Sequence, residues 1–97
     1  MSGELDALHL LISGVVQGVG YRNWAQKQAL ALGLSGWVRN LTDGRVELWA
    51  EGPHADLATL AERCRTGPRH AEVTEVEQAP RTPTGLQGFS TRPTATL

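Results

Sequence analysis

Leu8-His9-Leu10-Leu11-Ile12-Ser13-Gly14-Val15-Val16-Gln17-Gly18-Val19-Gly20-Tyr21-Arg22 is the stretch on which the fold turns. From Leu8 to Ser13 the side chains of Leu8, Leu10 and Ile12 fall on one side and those of His9, Leu11 and Ser13 on the other, the period of a strand. From Tyr21 the period changes. Tyr21, Ala25, Ala29 and Leu32 lie along one helical face, with Trp24 beside them and Gln26, Lys27 and Gln28 toward water, and Gly33 is a natural left-handed stop. Between the two periods stand Gly14, Gly18 and Gly20, and Arg22 follows them. Glycines let successive N–H groups turn inward as a nest, a helix N-terminus adds unpaired donors and its positive dipole end, and an arginine closes the site with a planar fork. The segment predicts an anion cradle, and its expected guest is a phosphate.

Outward from this junction, Leu34 to Asn40 alternates as a second strand, and Leu41-Thr42-Asp43-Gly44 carries the Asp-Gly pair of a hairpin turn. Arg45 to Glu51 returns as a third strand with Val46, Leu48 and Ala50 inward and Arg45, Glu47, Trp49 and Glu51 outward, which predicts a polar, open sheet face. Gly52-Pro53 opens a second helix, with Asp56 at its positive dipole end and Leu57, Leu60, Ala61 and Cys64 at the spacing of a buried stripe. Gly67-Pro68 ends it. A fourth strand follows from Ala71 to about Ala79, in which Val73 and Val76 are out of step by one residue and predict a bulge. Pro80 to Gly88 reads as a loop and Phe89 to Arg92 as a short edge strand before a frayed tail.

The order strand, helix, strand, strand, helix, strand is that of a ferredoxin-like βαββαβ sandwich, an α+β fold with two helices on one face of an antiparallel sheet. A right-handed crossover through the first helix leaves strands one and two parallel, with strand three between them. Their C-terminal ends then share an edge, so the glycine loop and Asn40 are expected in one crevice.

At 97 residues the chain is expected to form one domain over 1–97, with a core of about 8–92 and flexible ends at 1–6 and 93–97. Nine basic against ten acidic side chains leave no basic run to track a nucleic acid and no cationic helix for a lipid surface, so neither partner is expected. The lone Cys64 excludes an intramolecular disulfide, the start of the sequence carries no basic leader, and no apolar run reaches the roughly 18 residues of a membrane span. The expectation is a cytoplasmic monomer.

The nucleophile decides what chemistry the cradle performs. A thiolate phosphatase would place cysteine six residues before the arginine, where Val16 stands, and Cys64 belongs to the buried stripe of another helix. A nucleotide-binding loop would end in Gly-Lys-Ser or Gly-Lys-Thr, whereas this one ends in Gly-Tyr-Arg. His9 lies about 16 Å along the strand from Gly14, His54 begins the second helix at the opposite edge, and His70 at most lines the rim. Water oriented by the Asn40 amide remains. Lacking a strong base, such a site suits a bond that is already activated, because phosphoryl transfer asks little of the attacking group when the leaving group is good. A carboxylate is such a leaving group. No metal-ligand cluster accompanies the loop, so neither a metal nor a cofactor is expected.

Gly14 to Arg22, together with Gly36-Trp37-Val38-Arg39-Asn40 and Asp43-Gly44-Arg45-Val46-Glu47, resembles the two signature segments of the acylphosphatase family, and the similarity runs over roughly residues 8 to 79. The resemblance implies metal-independent hydrolysis of the carboxyl-phosphate bond of a small-molecule acyl phosphate. It implies that Arg22 binds phosphate, that Asn40 positions the water, and that the loop amides of Val16, Gln17, Gly18, Val19, Gly20 and Tyr21 complete the cradle. Two departures stand out: Val15 occupies a position that is often basic in the family, and the stretch after Pro80 lacks the usual aromatic or basic final strand.

Other readings weigh against this one. Three glycines and an arginine also make ordinary strand-to-helix turns, and Asn40 alone reads as a strand-end cap. Side-chain alternation turns Arg39 to the opposite sheet face from Asn40, as a surface charge near Glu47. Trp37 and Trp49 read as packing residues, and Cys64 as a small core residue. The rival function is a noncatalytic ferredoxin-like module that binds phosphate or carbamoyl phosphate, since this frame serves many roles. An RNA-binding sheet would pair aromatics in basic surroundings, whereas Trp49 sits between Glu47 and Glu51.

Overall fold

Alternation along the first strand, a change of period after its glycines, and an Asp-Gly turn are enough to lay down most of the architecture. The computed structural model describes residues 5–97. Its elements are β1 (Leu5–Val15), α1 (Tyr21–Ala31), β2 (Ser35–Asn40), β3 (Val46–Pro53), α2 (His54–Cys64), β4 (Glu72–Arg81) and β5 (Phe89–Thr91). They form one five-stranded sheet in the order β4-β1-β3-β2-β5. Strand β3 lies antiparallel to both β1 and β2, so those two run parallel and end at the same edge.

Packing follows the faces read from the sequence. Leu10, Ile12, Val38, Val46, Leu48 and Ala50 of the sheet join Tyr21, Ala25 and Ala29 of α1 and Leu57, Leu60, Ala61 and Cys64 of α2 in one buried cluster. At about 25 cal/mol per Å² of apolar surface removed from water, this layer is the main source of stability. The Tyr21 hydroxyl donates to the carbonyl oxygen of Cys64 at 2.7 Å and ties the start of α1 to the end of α2. Burial raises the Tyr21 pKa far above its ordinary value, with the neighbouring Cys64 adding to the shift, and Cys64 itself is pushed up to about 11 by burial.

The expected bulge lies where β4 meets β1: Ser13 opposes Glu75 and Gly14 opposes Val73, leaving Thr74 as the extra residue. Gly14 has φ 122°, and an added Cβ there would collide with the main chain of Glu72 and Thr74. The bulge therefore requires a glycine.

Four expectations are corrected. The sheet is mixed, because β5 pairs in parallel with β2. The outer face of β3 is covered, leaving Glu47 only 4 % and Glu51 only 5 % exposed. Glu47 accepts from His9 Nε2 and Arg39 Nε, each at 2.7 Å, while residues 84–86 come back over Glu51 on their way from β4 at one edge to β5 at the other. Arg39 is thus beside Glu47 as expected, and its guanidinium and that of Arg92 lie 4.7 and 4.6 Å from the centre of the Trp37 ring. Strand β4 continues through Pro80 to Arg81, where a sheet edge tolerates a proline.

The fourth correction concerns the ends. Leu5 and Asp6 extend β1 and oppose Pro53 and Gly52, while residues 1–4 lie outside the described residues. Near the other end, Ala95 donates to Asn40 O and accepts from Thr42 N, at 3.1 and 3.0 Å, so main-chain hydrogen bonds tie this part of the tail to the end of β2.

Candidate active site

The end of β1 delivers the chain into residues 16–20, and α1 starts at Tyr21. Val16 and Tyr21, each 1 % exposed, anchor the two ends of this loop in the core. Gly20 takes the N-cap position with φ 80° and ψ 19°, a left-handed conformation that leaves the helix without a side-chain cap. Among the described residues, the main-chain N–H groups from Gln17 to Asn23 meet no protein acceptor, and Trp24 is the first to do so, donating to Gly20 O at 3.0 Å. A loop of free N–H groups running into the positive end of a helix dipole is an anion-binding arrangement.

Arg22 is the second residue of α1 and half-buried. Among the described residues it has no carboxylate within ion-pairing distance, whereas Arg39 and Arg45 are paired with Glu47 and Asp43. Asn40 ends β2 on the same sheet face as Val38, opposite Val46, and so on the helix side of the sheet. Its main-chain carbonyl is held by Ala95.

These groups share a cleft of about 350 Å³ lined by Val16, Gly18, Gly20, Tyr21, Arg22, Asn23, Gln26, Asn40 and Thr91. Of the residues singled out in the sequence, Arg22 and Asn40 line it together with four of the six loop residues. Gln17 and Val19 do not line it. The Gln17 amide is turned toward the β2–β3 hairpin, and Val19 packs against the core. Their N–H groups stay within the loop.

Asn23, Gln26 and Thr91 were not anticipated. Gln26 follows Arg22 by four residues and so shares its helix face, a signal available in the sequence. It donates to Phe89 O at 2.9 Å and thereby docks β5 beside the cleft. Thr91 arrives only through the parallel pairing of β5 with β2, which nothing in the local sequence announces.

The histidines stand elsewhere. His9 is engaged with Glu47 on the outer face, His54 begins α2 within 3.3 Å of Asp6, and the exposed His70 precedes β4 without lining the cleft. Cys64 is buried with a raised pKa and is no nucleophile. Val15, 53 % exposed, is not among the residues that line the cleft. Among the described residues, the cleft offers one cation, a row of N–H donors and neutral amides, and no strong base: a site for holding a phosphoryl group rather than deprotonating an attacking group.

A family model described as acylphosphatase matches residues 8–91. The chain belongs to the acylphosphatase family. An acylphosphatase of Thermus thermophilus is 53 % identical over 85 residues, spanning 88 % of this chain and 97 % of that one. An acylphosphatase of Haloarcula marismortui is 48 % identical over 84 residues, spanning 87 % and 92 %. The crystal structure of acylphosphatase from Bacillus subtilis superposes with a TM-score of 0.88 at 37 % identity, covering 92 % of this chain and 99 % of that one. The chain is accordingly an acylphosphatase in fold and activity, a hydrolase of acyl phosphates, and nothing among these relatives favours the noncatalytic module. Among the described residues, no helix is long and apolar enough to cross a membrane.

Proposed function

We propose that the segment from Val16 to Arg22 holds the phosphoryl group of an acyl phosphate and that Asn40 orients the water that attacks it. The observation that carries this reading is the meeting, in one cleft, of loop N–H groups and an arginine that find no acceptor or carboxylate partner among the described residues, and an asparagine from a distant strand. The Arg22 fork bonds two phosphoryl oxygens while loop amides take the others. The side-chain oxygen of Asn40 accepts one water hydrogen and leaves a lone pair of the water oxygen aimed at phosphorus.

Attack forms the new P–O bond as the bond between phosphorus and the carboxylate oxygen breaks, with the electron pair leaving on the carboxylate. The water proton passes to a phosphoryl oxygen, so the products are a carboxylate and inorganic phosphate. Charge that spreads over the equatorial oxygens meets fixed donors, which reorganise little during the reaction. Arg22 and the amides neutralise this charge, so no metal enters the scheme.

We place the enzyme in the cytoplasm as a monomer; the first point is supported by its single cysteine, which is buried and unpaired and suits a reducing compartment. Sedimentation at the 10.5 kDa of one chain tests the second point. The decisive test of the reaction is phosphate release in EDTA from acetyl, carbamoyl and benzoyl phosphate, with para-nitrophenyl phosphate as the ester control. Rapid hydrolysis of the mixed anhydrides over the ester is expected. Activity lost in EDTA and restored by magnesium would overturn the scheme.

A further inference from the structure

Gln17 sits in the middle of the cradle loop, yet its side chain leaves the cleft. Its amide nitrogen donates to two main-chain carbonyls, Leu41 O and Arg45 O, both at 2.8 Å. Those carbonyls flank the turn between β2 and β3, which is also closed by Leu41 N donating to Arg45 O at 2.8 Å and Gly44 N donating to Leu41 O at 3.1 Å. A primary amide has two N–H donors in a fixed plane, and here each is matched to a different carbonyl of one turn. The first of these belongs to the residue directly after Asn40.

The two halves of the cleft are joined by the packing of α1 on β2 and by the bond from Gln26 to Phe89 O, and the Gln17 amide adds a direct tie from the loop itself to the β2–β3 hairpin. The cradle comes from β1 and α1 and Asn40 from β2, and β3 lies between β1 and β2, so strand pairing sets their separation only indirectly. The Gln17 amide spans that gap at the height of the site.

We infer that Gln17 is a positioning residue, whose side chain fixes the hairpin to the phosphate loop and so holds the Asn40 carboxamide at the distance that aims water at phosphorus. This inference rests on the assignment of water to Asn40. Its energetic signature differs from that of a phosphate ligand: the cradle amides and Arg22 remain in place when the Gln17 side chain is altered, while the attacking water loses its aim. Small misplacements of a reacting group cost up to about 100-fold in rate.

The test is a double-mutant cycle with Gln17→Met, which keeps the length of the side chain and removes both donors, and Asn40→Ala. Readouts are kcat for benzoyl phosphate and the inhibition constant of inorganic phosphate, with thermal unfolding of each variant measured alongside. Gln17→Met is expected to lower kcat about 10- to 100-fold with phosphate affinity within about twofold of the parent. In the Asn40→Ala background the same change is expected to lower kcat less than about threefold, because the group it positions is gone.

Should Gln17→Met fail to fold, Gln17→Glu, which turns carboxylate oxygens toward the two carbonyls, is read by the same criteria. Losses in kcat that multiply in the double variant, a loss confined to phosphate affinity, or an unchanged kcat in a folded variant would each overturn the inference. Asn40→Ala with full turnover would instead overturn the water assignment on which it rests, so the two failures are told apart.

Discussion

Replacing Glu51 with glutamine separates what the outer sheet face contributes from what it resembles. The Glu51 carboxylate takes hydrogen bonds from Trp49 Nε1 at 2.7 Å, Thr84 N at 3.0 Å and Thr84 Oγ1 at 2.8 Å on one oxygen, and from Gly85 N at 3.0 Å and Leu86 N at 3.2 Å on the other. Burial by itself raises the carboxyl pKa. The donors from Trp49, Thr84 and Gly85 outweigh burial and lower it from 4.5 to about 2.

At 1.36 kcal/mol per pH unit, this difference corresponds to about 3 kcal/mol of stability that depends on the ionised form. Because the folded pKa is depressed, that stability is present in full above about pH 4.5 and is lost as the pH falls toward 2. Glutamine keeps the shape, cannot carry the charge, and turns N–H groups toward N–H donors. Glu51→Gln is therefore expected to unfold more easily than the parent by about 3 kcal/mol at pH 7, with the gap closing between pH 4.5 and 2 as the parent loses its own charge. Urea unfolding of both proteins at a series of pH values measures the gap directly. A difference below about 0.5 kcal/mol at neutral pH, or one that does not shrink on acidification, would refute the reasoning.

Arg22→Ala is expected to raise the inhibition constant of inorganic phosphate by about 100-fold and to abolish measurable turnover, the scale of two charge-assisted hydrogen bonds, as read by inhibition kinetics. Gly14→Ala is expected to cost more than about 2 kcal/mol in urea unfolding, since a left-handed non-glycine residue is strained and its Cβ would meet the main chain of the bulge. A folded Gly14→Ala with parental stability would show that the bulge relaxes freely.

Much of the fold was legible because hydrophobic period carries it. The two helix faces, the order of β1 to β4 and the bulge at Thr74 all follow from which apolar residues recur at which spacing. The meeting of the cradle with Asn40 was legible too, since strand handedness and order dictate it without any local contact.

What was not legible depends on backbone or on returning chain. Glu47 and Glu51 alternate with Val46, Leu48 and Ala50, which reads as a solvated face. The segment that covers Glu51 comes back more than thirty residues later and contributes mainly N–H groups, which every non-proline residue possesses. The pairing of Ala95 with the main chain of Asn40 and Thr42 is equally silent in side-chain terms. Gln17 was read through its N–H, and its side-chain amide, which reaches Leu41 and Arg45, shows no periodicity that would reveal its target.

The central claim is that Asn40 serves the attacking water and not the bound phosphate, and kinetics of Asn40→Ala test it most directly. The account predicts an unchanged inhibition constant for inorganic phosphate with kcat lower by at least about 100-fold. Full turnover in this variant, or a loss of phosphate affinity equal to the loss of rate, would contradict it.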